Sequence, residues 1–151
     1  MVHIEVVEEQ TGMEGDVSNL TEMFAASAIS VKNPTQIALY VKNNALYANQ
    51  VIMENTIIGE IYGDPAYIWE IQHNHYILIN NDMVLDILRY MDSVISYVRE
   101  ENQTYQMSNC YIRMITEKDC TTRFFLITKG MIMPHEELVY NTFDFVHTDL
   151  P

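Results

Sequence analysis

Thr56-Ile57-Ile58-Gly59-Glu60-Ile61-Tyr62-Gly63-Asp64-Pro65 reads as a strand that runs into a turn: β-branched and aromatic residues, then glycine, aspartate and proline. Upstream, Ile37 to Val41 and Ala45 to Met53 have the same composition, and Asn43-Asn44 splits them. Asparagine tolerates a left-handed backbone, so the pair marks a tight turn. Downstream, Ala66 to Ile71 and His75 to Ile79 read as a hairpin joined by Gln72-His73-Asn74. Strands resume at Asn109 to Thr116 and Arg123 to Thr128, with a turn at Glu117-Lys118-Asp119, and Glu137 to Tyr140 forms a last short strand.

Two stretches break this pattern. From Met83, apolar residues recur at three- and four-residue spacing through Val98, which predicts an amphipathic helix over 82–98 with Asp82 as its cap. Leu20, Met23, Phe24, Ala26 and Ile29 predict another helix over 17–30, after a loose acidic tail at 1–15. Arg99 to Ser108 is polar and reads as a loop. The fold class is α+β dominated by short strands. Residues 1–33 form an acidic tail and helix, 34–146 the main domain and 147–151 a C-terminal tail.

Composition narrows the function. The chain has 151 residues, enough for one domain with a short appendage. Eight Lys and Arg face 21 Asp and Glu, a formal charge of -13. That balance disfavours direct nucleic-acid binding, which needs a basic surface, and favours a basic peptide partner. Cys110 and Cys120 make neither a disulfide framework nor a zinc cluster. No apolar run approaches the roughly 20 residues that span a bilayer, and the acidic N-terminus does not resemble a targeting peptide, so no membrane partner is expected.

The chemistry-bearing residues give little by themselves. His73 and His75 would share one face of a strand, but no third metal ligand is fixed by spacing, so no metal site is expected. Glu136-Glu137 would point to opposite faces of a strand, which argues against convergence on one substrate and for solvated turn acids. No nucleophile elbow, P-loop or dinucleotide fingerprint occurs. Periodicity and spacing stop at a soluble α+β domain.

Four collinear stretches carry a resemblance. The strand at 56–63 ends in a Gly-x-x-Tyr-Gly run, and Tyr67-Ile68-Trp69-Glu70-Ile71 follows. Then come Ser93-Val94-Ile95-Ser96-Tyr97-Val98 and Met133-Pro134-His135-Glu136-Glu137-Leu138-Val139-Tyr140. In order and spacing, over about residues 37–145, these resemble the SET domain superfamily of protein lysine methyltransferases, nearest its PR branch. The resemblance implies small β-sheets around a C-terminal pseudo-knot, S-adenosylmethionine as cofactor, and a lysine side chain reaching the donor through a tyrosine-lined channel. It also implies a nuclear setting, in a transcription or chromatin regulator, with a protein or a basic peptide such as a histone tail as partner.

The positions matching the family's cofactor pocket are Ala45, Leu46, Tyr47, Tyr67, Arg99 and Glu100. The usual channel tyrosine falls on Thr142, and Tyr140 matches an earlier tyrosine that could be catalytic only if the domain is active. Three matches depart from the family. The first cofactor loop lacks glycine, carrying Asn43-Asn44 instead. Arg99-Glu100 replaces an Asn-His or Asn-Cys pair. Thr142 replaces the tyrosine. Arg99 would bring positive charge toward a sulfonium, unless Glu100 pairs with it or it points to solvent. The expectation is therefore a weak or inactive SET/PR-like domain that serves as a protein-interaction module. The alternative is an active S-adenosylmethionine-dependent lysine methyltransferase. The apolar face of residues 17–30 is further expected to be buried, either on the domain itself or in self-association of two copies.

Overall fold

In the computed structural model, residues 37–150 are described. The predicted tail and helix at 1–33 lie outside them. Small β-sheets dominate, as the composition of 37–61 and 109–128 leads one to expect. Eleven strands fall into three sheets: β1 (Leu39–Lys42) and β2 (Ala45–Ala48) form a hairpin. β3 (Ile57–Ile61), β7 (Arg99–Glu100), β8 (Cys110–Thr116), β9 (Thr122–Thr128), β10 (Val139–Tyr140) and β11 (Val146–Asp149) form the main sheet. β4 (Asp64–Tyr67), β5 (Tyr76–Leu78) and β6 (Met83–Asp86) form the third. None of the helices among the described residues is long and apolar enough to cross a membrane.

The Asn43-Asn44 turn behaves as its chemistry requires. Both residues have positive φ, 51° and 59°, and Lys42 pairs with Ala45 across them. Two left-handed residues in a two-residue loop match the twist of the flanking strands. Gly63 serves a different need. A Cβ there would lie 2.9 Å from the Leu85 Cβ, so the chain can pass β6 only without a side chain.

The stretch 82–98 is not one helix. Met83–Asp86 is the central strand of the third sheet, paired antiparallel to β4 on one side and β5 on the other. Two 3-10 turns follow, at Leu88–Tyr90 and Val94–Tyr97. Pairing on both edges satisfies the strand's backbone, and this tertiary gain overrides the helical spacing. Val84, Leu85, Ile87, Val94, Ile95 and Val98 are buried all the same, each by its own element. The predicted hairpin between 66–71 and 75–79 is also absent, because β6 lies between β4 and β5. Ile68–Glu70 is a 3-10 turn.

In the main sheet the long β8–β9 hairpin carries two cores. Phe124 and Leu126 face the large cluster shared by all three sheets, while Phe125 and Ile127 face a smaller one with Ile57 and Ile115. This is the period-two alternation of a strand buried on both faces. The C-terminal segment then returns along the other side of β8. β10 runs parallel to both β7 and β8 and lies between them, with Val139 opposite Arg99 and Tyr140 opposite Glu100 and Cys110. β11 continues along β8 in the same direction.

Candidate functional site

The insertion of β10 brings Arg99, Glu100, Glu137 and Tyr140 together from segments nearly forty residues apart. Asn109 holds the strand in place. Its amide nitrogen donates to the Glu137 carbonyl at 2.8 Å, its side-chain oxygen accepts from the Val139 N–H at 2.9 Å, and its own N–H donates to the Val139 carbonyl at 3.0 Å. A two-residue strand offers few ladder bonds, so a side-chain amide that imitates a neighbouring strand completes its pairing. Gln106 adds a second donor to the Glu137 carbonyl at 2.7 Å. The side chain of Glu101 joins the loop to both ends of this region, accepting from the Ser108 N–H and from Asn141.

Glu137 is buried and its carboxylate is held by Arg99, so the expectation of a solvated turn acid is corrected. Nε of Arg99 donates to Oε2 at 2.6 Å and Nη2 to Oε1 at 2.8 Å. The two bonds hold the guanidinium pKa above its usual value, against the opposing cost of partial burial. Glu136 beside it is half-buried, and its carboxylate accepts the Met133 N–H. Glu100, the expected partner of Arg99, instead accepts from the Asn102 N–H at 2.7 Å and starts the 3-10 turn Glu101–Gln103.

Tyr140 is buried. Its hydroxyl accepts from the Leu78 N–H at 3.0 Å and donates to the Leu78 carbonyl at 3.1 Å, tying β10 to β5. Burial first, then the nearby Glu100 charge, pushes the phenol pKa far up. Thr142 opens the 3-10 turn Thr142–Asp144. Ala45 and Leu46 are core residues of β2, and Leu46 accepts the Leu138 N–H through its carbonyl. Tyr47 stacks on Tyr40, with ring centres 5.3 Å apart, and bridges to Glu137 through its backbone.

A cleft of about 270 Å³ lies beside this cluster, with Asn44, His75, Tyr76, Tyr97, Arg99 and Gln103 in its wall. It meets the Asn43-Asn44 turn at one side and the end of the Val94–Tyr97 turn at another. Of the positions matching the family's cofactor pocket, Arg99 lines it, and His75 and Asn44, also singled out in the sequence, join it there. Tyr67 stands elsewhere, on the third sheet, 48% exposed and stacked on Trp69, which is 67% exposed. The two rings are 4.7 Å apart and nearly parallel, at 7°. Glu70 accepts the Tyr67 N–H at 2.9 Å, and the Asp82 carbonyl accepts the Ile68 N–H at 2.7 Å. Two acidic residues thus border an open aromatic pair. Among the described residues, no group of His, Cys, Asp and Glu is placed to hold a metal ion. His73 donates toward Asp86 and accepts from the His75 N–H, which takes both of its ring nitrogens.

Sequence reasoning missed Asn109, Glu101 and the role of Glu137. The signal for Glu137 was present in Arg99, an arginine at the end of an apolar run that must find a carboxylate somewhere. Which carboxylate it finds depends on the return of β10. Compared with known proteins, the chain matches no protein-family model and no curated protein.

Proposed function

We propose that this chain is a SET/PR-like domain that does not transfer methyl groups and acts as a protein-interaction module, its partner being a basic peptide. The observation that carries the reading is the Arg99–Glu137 pair at the place where the resemblance puts the methyl donor. Support for the scaffold comes from β10, which enters the sheet parallel to β7 and sets Tyr140 against Arg99-Glu100, the juxtaposition a C-terminal pseudo-knot requires. The setting in a transcription or chromatin regulator rests on the resemblance of the four motifs.

The residues present do not fit S-adenosylmethionine as a reactive donor. The cleft wall carries a fixed guanidinium and no carboxylate. Its cation is matched by a buried acid, so no negative charge is left over for a sulfonium. Tyr140, the tyrosine at hand, spends its hydroxyl on both backbone groups of Leu78 and is closed off from the surface. The Tyr67–Trp69 stack supports the partner assignment. Exposed aromatic faces beside Glu70 and Asp82, on a chain of charge -13, attract a lysine or arginine side chain.

Isothermal titration with S-adenosylmethionine and incubation with a labelled methyl donor on histone-peptide arrays test the reading. The expected results are no saturable heat at micromolar donor and no label above that given by Tyr140→Phe. Label that accumulates with the wild-type chain and vanishes with the variant restores the alternative, an active lysine methyltransferase.

A further inference from the structure

Away from the cleft, the short ribbon made by residues 51–53 and 131–133 carries an unexplained apolar surface. Ile52 and Ile132 exchange both backbone hydrogen bonds at 2.8 Å, and both side chains are buried in the main core. In an extended pair, residues on either side of such a position point to the opposite face, and the flanking pairs are the closely spaced ones. Val51 therefore faces Met133 and Met53 faces Met131 on the outer side. All four are 43–56% exposed. The ribbon presents a continuous patch, three-quarters methionine, of the flexible kind that moulds itself to a docked segment.

The chain itself leads to this patch. At the start of the described residues, the Ala38 carbonyl accepts the Asn49 N–H at 2.9 Å and the Ala38 N–H donates to the Gln50 side chain at 2.9 Å. Residue 38 therefore lies against the residues just before Val51. Nine residue steps separate Ile29 from Ala38, and an extended chain of that length reaches about 30 Å. Residues 17–30 hold Leu20, Met23, Phe24, Ala26 and Ile29 and a single charge, Glu22. With one acid, such a segment meets less repulsion from Glu54 and Glu136 at the margin of the patch than the five acids before residue 17 would.

We propose that residues 17–30 dock their apolar side chains on Val51, Met53, Met131 and Met133 of the same molecule. The test uses the full chain with a benzoylphenylalanine photo-crosslinker at Met53, in an equal mixture of light and heavy-isotope copies. The expected product is a light–light or heavy–heavy link from position 53 to residues 17–30, reduced at least fivefold by Phe24→Asp. Links between light and heavy copies overturn the proposal in favour of a dimer interface, and links elsewhere, or none, overturn it outright. Hydrogen exchange gives a second arm. Met131→Asp should remove protection from 17–30 while leaving β8 and β9 protected, which separates lost docking from lost folding. Unchanged protection of 17–30 in that variant counts against docking on this patch.

Discussion

The Arg99 guanidinium grips Glu137 through two parallel hydrogen bonds of 2.6 and 2.8 Å, and so couples β7 to the segment that enters β10. Glu137 is buried while Arg99 is about a third exposed. Removing the arginine leaves a carboxylate with little access to water. Arg99→Met should therefore destabilise the domain by about 2–4 kcal/mol, toward the low end because solvent screens part of the pair. Replacing both residues by apolar ones relieves the orphaned charge. Urea denaturation of Arg99→Met, Glu137→Leu and the double variant checks this. A double variant no more stable than Arg99→Met alone would show that the ion pair does not organise the return of the chain.

Tyr140 gives a separate measure of the same region. Tyr140→Phe leaves both the N–H and the carbonyl of Leu78 without their partner in a buried setting, at a cost of about 1–3 kcal/mol. The raised phenol pKa adds a spectroscopic sign. In an ultraviolet titration of the folded protein, Tyr140 should stay protonated where ordinary tyrosines ionise, near pH 10, and should ionise only when the domain unfolds. The absorbance change at high pH in Tyr140→Phe should match that of wild type until unfolding begins.

How far the sequence revealed this arrangement depended on the range of the interactions. The β1–β2 hairpin, β3, and the β8–β9 hairpin were legible because alternation and turn residues are local signals. The stretch 82–98 was misread because its buried positions happen to fall at helical spacing, although Met83–Asp86 owes its strand to β4 and β5 on either side. The ion pair joining Arg99 to Glu137 was illegible for the same reason. Its partners are 38 residues apart, and only the parallel insertion of β10 selects Glu137 over the adjacent Glu100. Asn43-Asn44 shows the reverse. The missing glycines read as a defect, yet asparagine at positive φ keeps the tight turn.

That turn yields its own prediction. Asn43 and Asn44 both sit in the left-handed region, which glycine occupies freely and a β-branched residue occupies at a cost of roughly 1–2 kcal/mol. Asn44→Gly should be near neutral and Asn44→Val clearly destabilising by thermal melting. Because the backbone already has the glycine-like shape, Asn44→Gly should also leave donor binding absent. Calorimetric binding of S-adenosylmethionine by that variant would place the defect in the loop and not at Arg99.

Asp86 links the third sheet to pH. Its carboxylate accepts the Leu88 N–H at 3.0 Å, which is the main cause of its lowered pKa; burial opposes this, and His73 at 3.1 Å adds to it. A carboxyl whose folded-state pKa is depressed contributes stability above its unfolded value, near 3.8, and loses it as pH falls through the folded value. Stability should therefore drop between about pH 5 and pH 2 more steeply in wild type than in Asp86→Asn. Urea midpoints across that window provide the comparison, and parallel curves would remove Asp86 from the acid response.

The Tyr67–Trp69 stack supplies the prediction closest to function. Both rings are largely open to solvent, so Trp69→Ala should leave the melting temperature within a degree or two, surface substitutions being nearly neutral. A cation over an exposed aromatic face gains about 0.5–1 kcal/mol, and a second stacked ring steadies the platform. Trp69→Ala should thus weaken binding of a lysine-rich histone-tail peptide by about two- to fivefold in fluorescence anisotropy. Trp69→Phe should retain most of the affinity. The Glu70 and Asp82 charges add a screened attraction, so affinity should fall between 50 and 300 mM salt, and less so in Glu70→Gln. If the peptide binds Trp69→Ala as tightly as wild type at every salt concentration, the Tyr67–Trp69 stack is not a basic-peptide site.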